Sequence, residues 1–212
     1  MNRPIKIFGL QRTGTNYTWM LVSHNFAEIE LIDNKSSLLG SAHKHCVPPN
    51  IVRTIFSRGN LVNLGVICLV KDPYAWIVSR LRLAKQLDSP QEKEIKRYLR
   101  AYNCVNSSLL ELREAFPEYV YFIRYEDYLY GEARVLADLQ EHFDLKASRD
   151  DWWTSAYRTK KYPEVDKAHK FDPGYYLRGD YLSEVSSEVL QLVNEELDEG
   201  LVGRLGYIQM EV

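Results

Sequence analysis

Ile5-Lys-Ile-Phe-Gly-Leu-Gln-Arg-Thr-Gly-Thr-Asn-Tyr-Thr-Trp-Met-Leu-Val22 runs from a short apolar segment through a glycine loop into the start of a helix. Ile5, Ile7, Phe8 and Leu10 read as a buried strand, and Gly9 and Gly14 allow a tight turn with close backbone approach. Thr15 or Asn16 can begin a helix whose first N–H groups lack acceptors within the helix and point into the loop. Strand, loop and helix N-terminus together make a cradle for an anion, and a phosphate suits it.

The spacing Gly9-x4-Gly14 is that of a P-loop, but Thr15 and Asn16 follow where a nucleotide triphosphatase needs Lys and then Ser or Thr. Without the lysine that reaches the outer phosphates and the hydroxyl that holds magnesium, the loop keeps a backbone nest and loses the usual metal chemistry. The positive charge stands inside the loop instead, at Arg12. Arg12-Thr13-Gly14-Thr15-Asn16-Tyr17 resembles the 5′-phosphosulfate loop of the sulfotransferase family. That family's pattern is Lys or Arg, Ser or Thr, Gly-Thr, then Thr, Ser or Asn, followed by an aromatic.

The 212 residues, 45% hydrophobic and 26% charged, suffice for one domain over 1–212 that buries roughly 70% of its unfolded surface. No run of about 18 apolar residues occurs, and Arg3 and Lys6 stand where a signal peptide would be apolar, so the reading is a soluble, cytoplasmic protein that uses no membrane. A net charge of −2 argues against a nucleic-acid partner held through counterion release. Local basic clusters, Arg80, Arg82 and Lys85 and then Arg158, Lys160, Lys161, Lys167 and Lys170, suit a small polyanion or are solvated faces. Cys46, Cys68 and Cys104 are odd in number and widely spaced, which reads as reduced and mostly core. His43 and His45 stand two apart with no third ligand nearby, so no metal is expected.

Downstream, Thr15 to Phe26 reads as a helix and Glu28 to Ile32 as a short strand, with a polar loop over 33–41 and a helix from Asn50 to about Ser57. Leu64 to Val70 is the most apolar run and reads as a central parallel strand. Lys71-Asp72-Pro73 follows it, with Asp72 as cap and Pro73 in the first turn of a helix to about Lys85. Pro90 to Phe116 reads as a long helix, Tyr119 to Ile123 as a strand, and Gly131 to Phe143 as the next helix. Trp152 and Trp153 open a short helix, 157–182 is a long basic, aromatic loop, and Ser183 caps one final helix that ends at Leu205-Gly206-Tyr207. This order predicts an α/β, P-loop NTPase-like three-layer fold with a mostly parallel central sheet flanked by helices, its ligands at the carboxyl ends of the strands.

The resemblance extends to a second cofactor motif, a basic residue at a strand end, x-Pro, and a Ser eight residues later: Lys71 to Ser79. A strand-end cation and a hydroxyl two helical turns on can converge on one phosphate, here the 3′-phosphate. Arg124-Tyr125-Glu126-Asp127 is a third family-like feature, which implies a base contact for Tyr125 and structural roles for Glu126 and Asp127. Arg178-Gly179-Asp180-Tyr181 stands where the family places a basic-Gly segment over the 3′-phosphate.

The resemblance thus implies a sulfotransferase that moves the sulfuryl group of 3′-phosphoadenosine 5′-phosphosulfate (PAPS) to a hydroxyl or amine of a small-molecule or carbohydrate acceptor. Arg12 and the amides of residues 13 to 16 would be the donors, Thr15 and Asn16 would add side-chain bonds, and Tyr17 would pack on adenine. His45, in a segment like the family's Lys-x-His, would be the base, with Lys44 in the role of the lysine and Glu30 or Glu28 as alternatives. Arg12 replaces the commoner Lys and Lys71 the commoner Arg, which bears on proton donation and on phosphate geometry respectively. A non-catalytic nucleotide- or anion-binding protein on the same fold, or a P-loop kinase relative, are the alternatives. The acceptor and the oligomeric state carry no signal.

Overall fold

The computed structural model describes residues 2–32, 45, 63–154 and 173–211. The chain runs β1 (Arg3–Gly9), α1 (Thr15–Asn25), β2 (Phe26–Ala27), β3 (Ile29–Leu31), β4 (Gly65–Val70), α2 (Pro73–Leu83), α3 (Glu92–Ala115), β5 (Val120–Arg124), α4 (Tyr125–Phe143) and β6 (Lys146–Ala147). It then forms α5 (Pro173–Leu177), a 3₁₀ turn (Asp180–Glu184), α6 (Ser187–Glu196) and α7 (Glu199–Arg204). β3, β1, β4 and β5 lie side by side in that order, all parallel, and β2 pairs antiparallel with β6.

The sheet is covered on both faces because its central strands are apolar at odd and even positions alike. Ile5, Ile7, Ile67 and Leu69 pack with Leu21 and Val22 of α1 and Leu136 and Phe143 of α4. The alternate residues Phe8, Val66 and Cys68 pack with Leu109 and Leu112 of α3. A third group joins Leu10 and Val70 to α2, α3, α6 and α7. The result is an α/β architecture with a parallel four-stranded sheet between helices, as the strand and helix order implies.

Strand order also locates a crevice. From β1 the chain goes to β3 on one side and later to β4 on the other, so connections leave β1 and β4 in opposite directions. Gly9 pairs with Leu69, and Val70 with Arg124. Residues far apart in sequence, the loop after Gly9, Lys71 and Tyr125, therefore emerge side by side at one rim.

Several expected boundaries are corrected. Trp152 and Trp153 lie outside any helix: the buried Asn25 side chain donates to the Trp153 carbonyl (2.9 Å) and accepts from its N–H (2.6 Å), which ties that backbone to the end of α1. The final helix is two helices, broken at Asp198, whose carboxylate caps α7 through the Leu201 N–H (2.9 Å). Ser183 caps neither; it lies in the 3₁₀ turn, and Ser186 stands before α6. α4 begins directly at Tyr125, with the Arg124 N–H donating to the Asp127 carboxylate (3.0 Å), and bends where Gly131 takes up extended backbone. Cys68 is core, but Cys104 is exposed on α3. The expected loop at 33–41 and helix at 50–57 lie outside the described residues. Among those described, no helix is long and apolar enough to cross a membrane.

Tyr102 shows how the layers are tied to the rim. Its buried hydroxyl donates to the carbonyl of Lys71 (2.8 Å), a group beyond the end of the β4 ladder. Tyr102→Phe leaves that carbonyl unpaired in the core, and we expect a loss of about 1–3 kcal/mol in denaturant unfolding; a change under about 0.3 kcal/mol would show that the bond contributes nothing.

Candidate functional site

The loop after β1 turns back on itself within a few residues. The Thr13 N–H and hydroxyl both donate to the Leu10 carbonyl (3.2 and 2.7 Å). Arg12 and Gly14 have φ of 81° and 93°, left-handed conformations that are easy for glycine and strained for arginine. A Cβ on Gly9 would lie 2.6 Å from Thr13 Oγ1 and 2.8 Å from the Leu69 carbonyl oxygen, so no other residue fits there. Gly14 stands at the N-cap of α1 without a side-chain cap, and the first turn holds no acidic residue. A helix start of that kind favours a negative group in front of it. Thr13 and Thr15 are buried, whereas Arg12 and Asn16 are exposed.

α2 clamps this loop from the side. Trp76 Nε1 donates to the Gln11 carbonyl (2.9 Å), Ser79 Oγ accepts from Arg12 Nε (3.0 Å), and Arg80 donates to the Gln11 side chain. Positions 76, 79 and 80 share one helix face by their i, i+3, i+4 spacing. Ser79, expected at a phosphate, thus orients Arg12 through Nε. Trp76 had no signal as a site residue because it meets the loop only through the fold, and Gln11, inside the loop, had none because its partners are on α2.

Lys71 stands beyond the end of β4 and is 1% exposed. Its ammonium lies 4.4 Å from the Tyr125 ring centroid and 4.1 Å from that of Tyr176 on α5. Burial lowers its pKa to about 7, opposed by the charge of Glu126 and reinforced by that of Arg12. The neighbouring carboxyls are buried too. Asp72 accepts from the Ala75 N–H (2.8 Å) as cap of α2 and from the Tyr181 hydroxyl (3.1 Å). Glu126 accepts from the Asp72 N–H (3.2 Å) and the Tyr207 hydroxyl (2.7 Å). Burial raises the pKa of both. Glu126 thus ties α4 to the start of α2 and to Tyr207, and Asp127 accepts from the Arg124 N–H at the start of α4.

His45 comes to the same rim. Its Nδ1 lies 2.8 Å from the Gly9 carbonyl oxygen. A carbonyl only accepts, so Nδ1 carries a proton, and in the neutral form of such a ring the lone pair is on Nε2. His43 and Lys44 lie outside the described residues. Glu28 and Glu30 do not reach the rim: Glu28 precedes β3 at the amino end of the sheet and pairs with Lys146 (2.6 Å). Glu30 pairs with Pro4, roughly 16 Å down the sheet from Gly9 at about 3.3 Å per residue. Neither can act at the loop.

The remaining expected residues have definite partners. Tyr17 donates its hydroxyl to Glu132 and meets Tyr128 edge-on, which holds its ring against α4. Tyr125 lies against the Gly14 backbone, with a ring carbon 3.1 Å from where a Cβ would be. Arg178 pairs with Asp180, and Gly179 (φ 73°) turns the chain from α5 into the 3₁₀ turn. Tyr176, the second ring over Lys71, belongs to the stretch 157–182, where length and aromatic content marked the segment and the reading settled on Arg178 and Gly179 instead. Among the described residues, no three His, Cys, Asp or Glu side chains converge to hold a metal ion.

Compared with known proteins, the sequence matches no protein-family model and no curated protein.

The buried lysine makes a pH signature. Its folded pKa lies below the unfolded value, so the unfolded chain binds the extra proton between about pH 7 and 10.5 and Lys71 becomes less costly as pH rises through that window. Lys71→Met removes the titration. Chemical denaturation at pH 7 and 9.5 should therefore show the wild type gaining stability relative to Lys71→Met at the higher pH. An equal difference at both pH values would mean that Lys71 titrates normally.

Proposed function

We propose that this chain is a PAPS-dependent sulfotransferase on a P-loop NTPase-like three-layer fold, transferring a sulfuryl group to a hydroxyl or amine acceptor. The observation that carries the reading is the meeting of His45 Nδ1 and the loop at the Gly9 carbonyl, 36 positions apart in sequence. A base candidate and an anion cradle that face each other suit group transfer better than binding alone. The loop after the first parallel strand, beside a topological switch point, supports the fold assignment.

The chain's residues fit the nucleotide as follows. The cradle, where Gly9 has no room for a Cβ and Thr13 spends its N–H and hydroxyl on the Leu10 carbonyl, would hold the 5′-phosphate through the amides of residues 14 to 16 and the side chains of Thr15 and Asn16. Arg12, steadied at Nε by Ser79, would present its outer nitrogens to developing negative charge. Lys71 would meet the 3′-phosphate, and Tyr125 would border the base. When bound, the cofactor supplies the activated sulfuryl group. His45 Nε2 would take the proton of the acceptor, with Gly9 fixing the ring by its bond to Nδ1. Arg12 stabilises charge without giving up a proton, so protonation of the leaving oxygen falls to another donor, for which Lys44 is the candidate.

Calorimetric titration with 3′-phosphoadenosine 5′-phosphate (PAP), with AMP and magnesium-ATP as comparators, tests the reading. PAP should bind at least tenfold tighter than AMP, about 1.4 kcal/mol, and Arg12→Ala should weaken it by a similar factor. His45→Gln should leave PAP binding within about twofold and slow sulfuryl transfer by about 10²–10⁴ in an acceptor panel. Preference for magnesium-ATP, or no nucleotide binding, would sink the proposal.

A further inference from the structure

Two aromatic rings close over the Lys71 ammonium, and they are held in different ways. Tyr125 starts α4 directly after β5, lies against the Gly14 backbone, and is fixed by the strand register that sets Arg124 beside Val70. Tyr176 comes from α5, a five-residue helix with no buried residue. α5 is attached through side chains: the Tyr175 hydroxyl donates to Glu184 and accepts from Arg82 (2.7 Å), and just beyond the helix Arg178 pairs with Asp180. These are exposed or half-exposed contacts, a class that contributes little to stability. Gly179, in left-handed conformation, forms the joint between α5 and the 3₁₀ turn.

A phosphate oxygen needs direct contact with an ammonium, at roughly 2.7–2.9 Å. With ring centroids at 4.1 and 4.4 Å and the side chain 1% exposed, no phosphate reaches Lys71 while both rings stand. One of them has to move: Tyr125 is set by the β5–α4 junction, whereas Tyr176, half-buried on a five-residue helix, rests on the edge of the core and on the rings of Tyr125, Tyr175 and Tyr181, so Tyr176 is the more easily shifted of the two. We infer that Tyr176 is a displaceable cover over Lys71, which a second, nucleotide-borne phosphate must push aside to bind. The inference rests on the proposed role of Lys71 as a phosphate ligand. The ring face satisfies the cation in its absence from phosphate, so opening exchanges a cation–π contact for a charge-assisted hydrogen bond. Ligands with a single phosphate, seated in the loop alone, leave the cover in place.

The test is Tyr176→Ala with Tyr176→Phe as control, titrated with PAP and with AMP. Removal of the ring should tighten PAP binding five- to tenfold and leave AMP within about twofold, and Tyr176→Phe, which keeps the ring, should behave as wild type. In parallel, acetic anhydride labelling read by mass spectrometry should modify Lys71 slowly in the wild type and at least fivefold faster in Tyr176→Ala. Weaker PAP binding in Tyr176→Ala would make the ring a ligand contact and overturn the cover, as would unchanged PAP affinity. If no variant binds PAP, the sulfotransferase reading fails and labelling decides the cover alone: faster modification in Tyr176→Ala upholds the shielding of Lys71, and equal modification overturns it.

Discussion

The rim depends on one close approach, the passage of Gly9 against Leu69 at the end of the β1–β4 pairing. Without a side chain at residue 9, Thr13 can fold back beneath the loop and bond to Leu10, and the Leu69 carbonyl can sit where a Cβ would be. That turn sets the start of α1 and brings Arg12 alongside α2. The three bonds from Trp76, Ser79 and Arg80 then fix the loop from outside, which holds Arg12 in a backbone conformation unfavourable for a non-glycine residue. Strain kept at an exposed arginine, beside a helix start without a cap, belongs to a site rather than to a connector.

Behind the loop lies a group of buried ionisable side chains. Desolvation acts on Lys71, Asp72 and Glu126 in the same sense, pushing each toward its neutral form. Hydrogen bonds from Tyr181, Tyr207 and two backbone N–H groups hold the carboxyls in place, so the cluster is satisfied yet easily recharged. An anion arriving beside Lys71 would favour the charged amine, and its binding would draw in a proton near neutral pH. The same cluster joins α2, α4 and the C-terminal segment around Tyr207, so the chemistry of the rim and the packing of the last helices share residues.

What the sequence made legible follows from how local each feature is. The apolar run before Lys71, the cap at Asp72 and the glycines at 9 and 14 are set by residues within one turn, and each stands where its pattern implies. The break at Asp198 was hidden because Val193, Leu197 and Leu201 keep helical spacing across it, and the side chain of Asp198 alone caps the second piece. The non-helical backbone at Trp153 is tied to Asn25, 128 positions away, which no window of sequence contains. Tyr176 was hidden for the same reason: its partner is Lys71, and only the packing of α5 against the rim brings them together. Glu28 and Glu30 were eligible as bases until the register put them at the wrong end and middle of β3.

The choice of lysine at position 71 has a physical reason of its own. On the proposed sulfotransferase reading, arginine would be the commoner residue there, a group that meets a phosphate with two parallel bonds. A guanidinium stays charged at any ordinary pH and needs up to five acceptors, so two tyrosine rings and a strand end would leave it stranded. A lysine amine in the same place can give up its proton, and burial has already brought its pKa to about 7. Loss of bidentate geometry thus goes with a group that can meet the covering ring as a cation and can also shed its charge when buried. An arginine at 71 would keep its charge under the ring, whereas Lys71 can lose it, so burial beneath Tyr176 costs the lysine less.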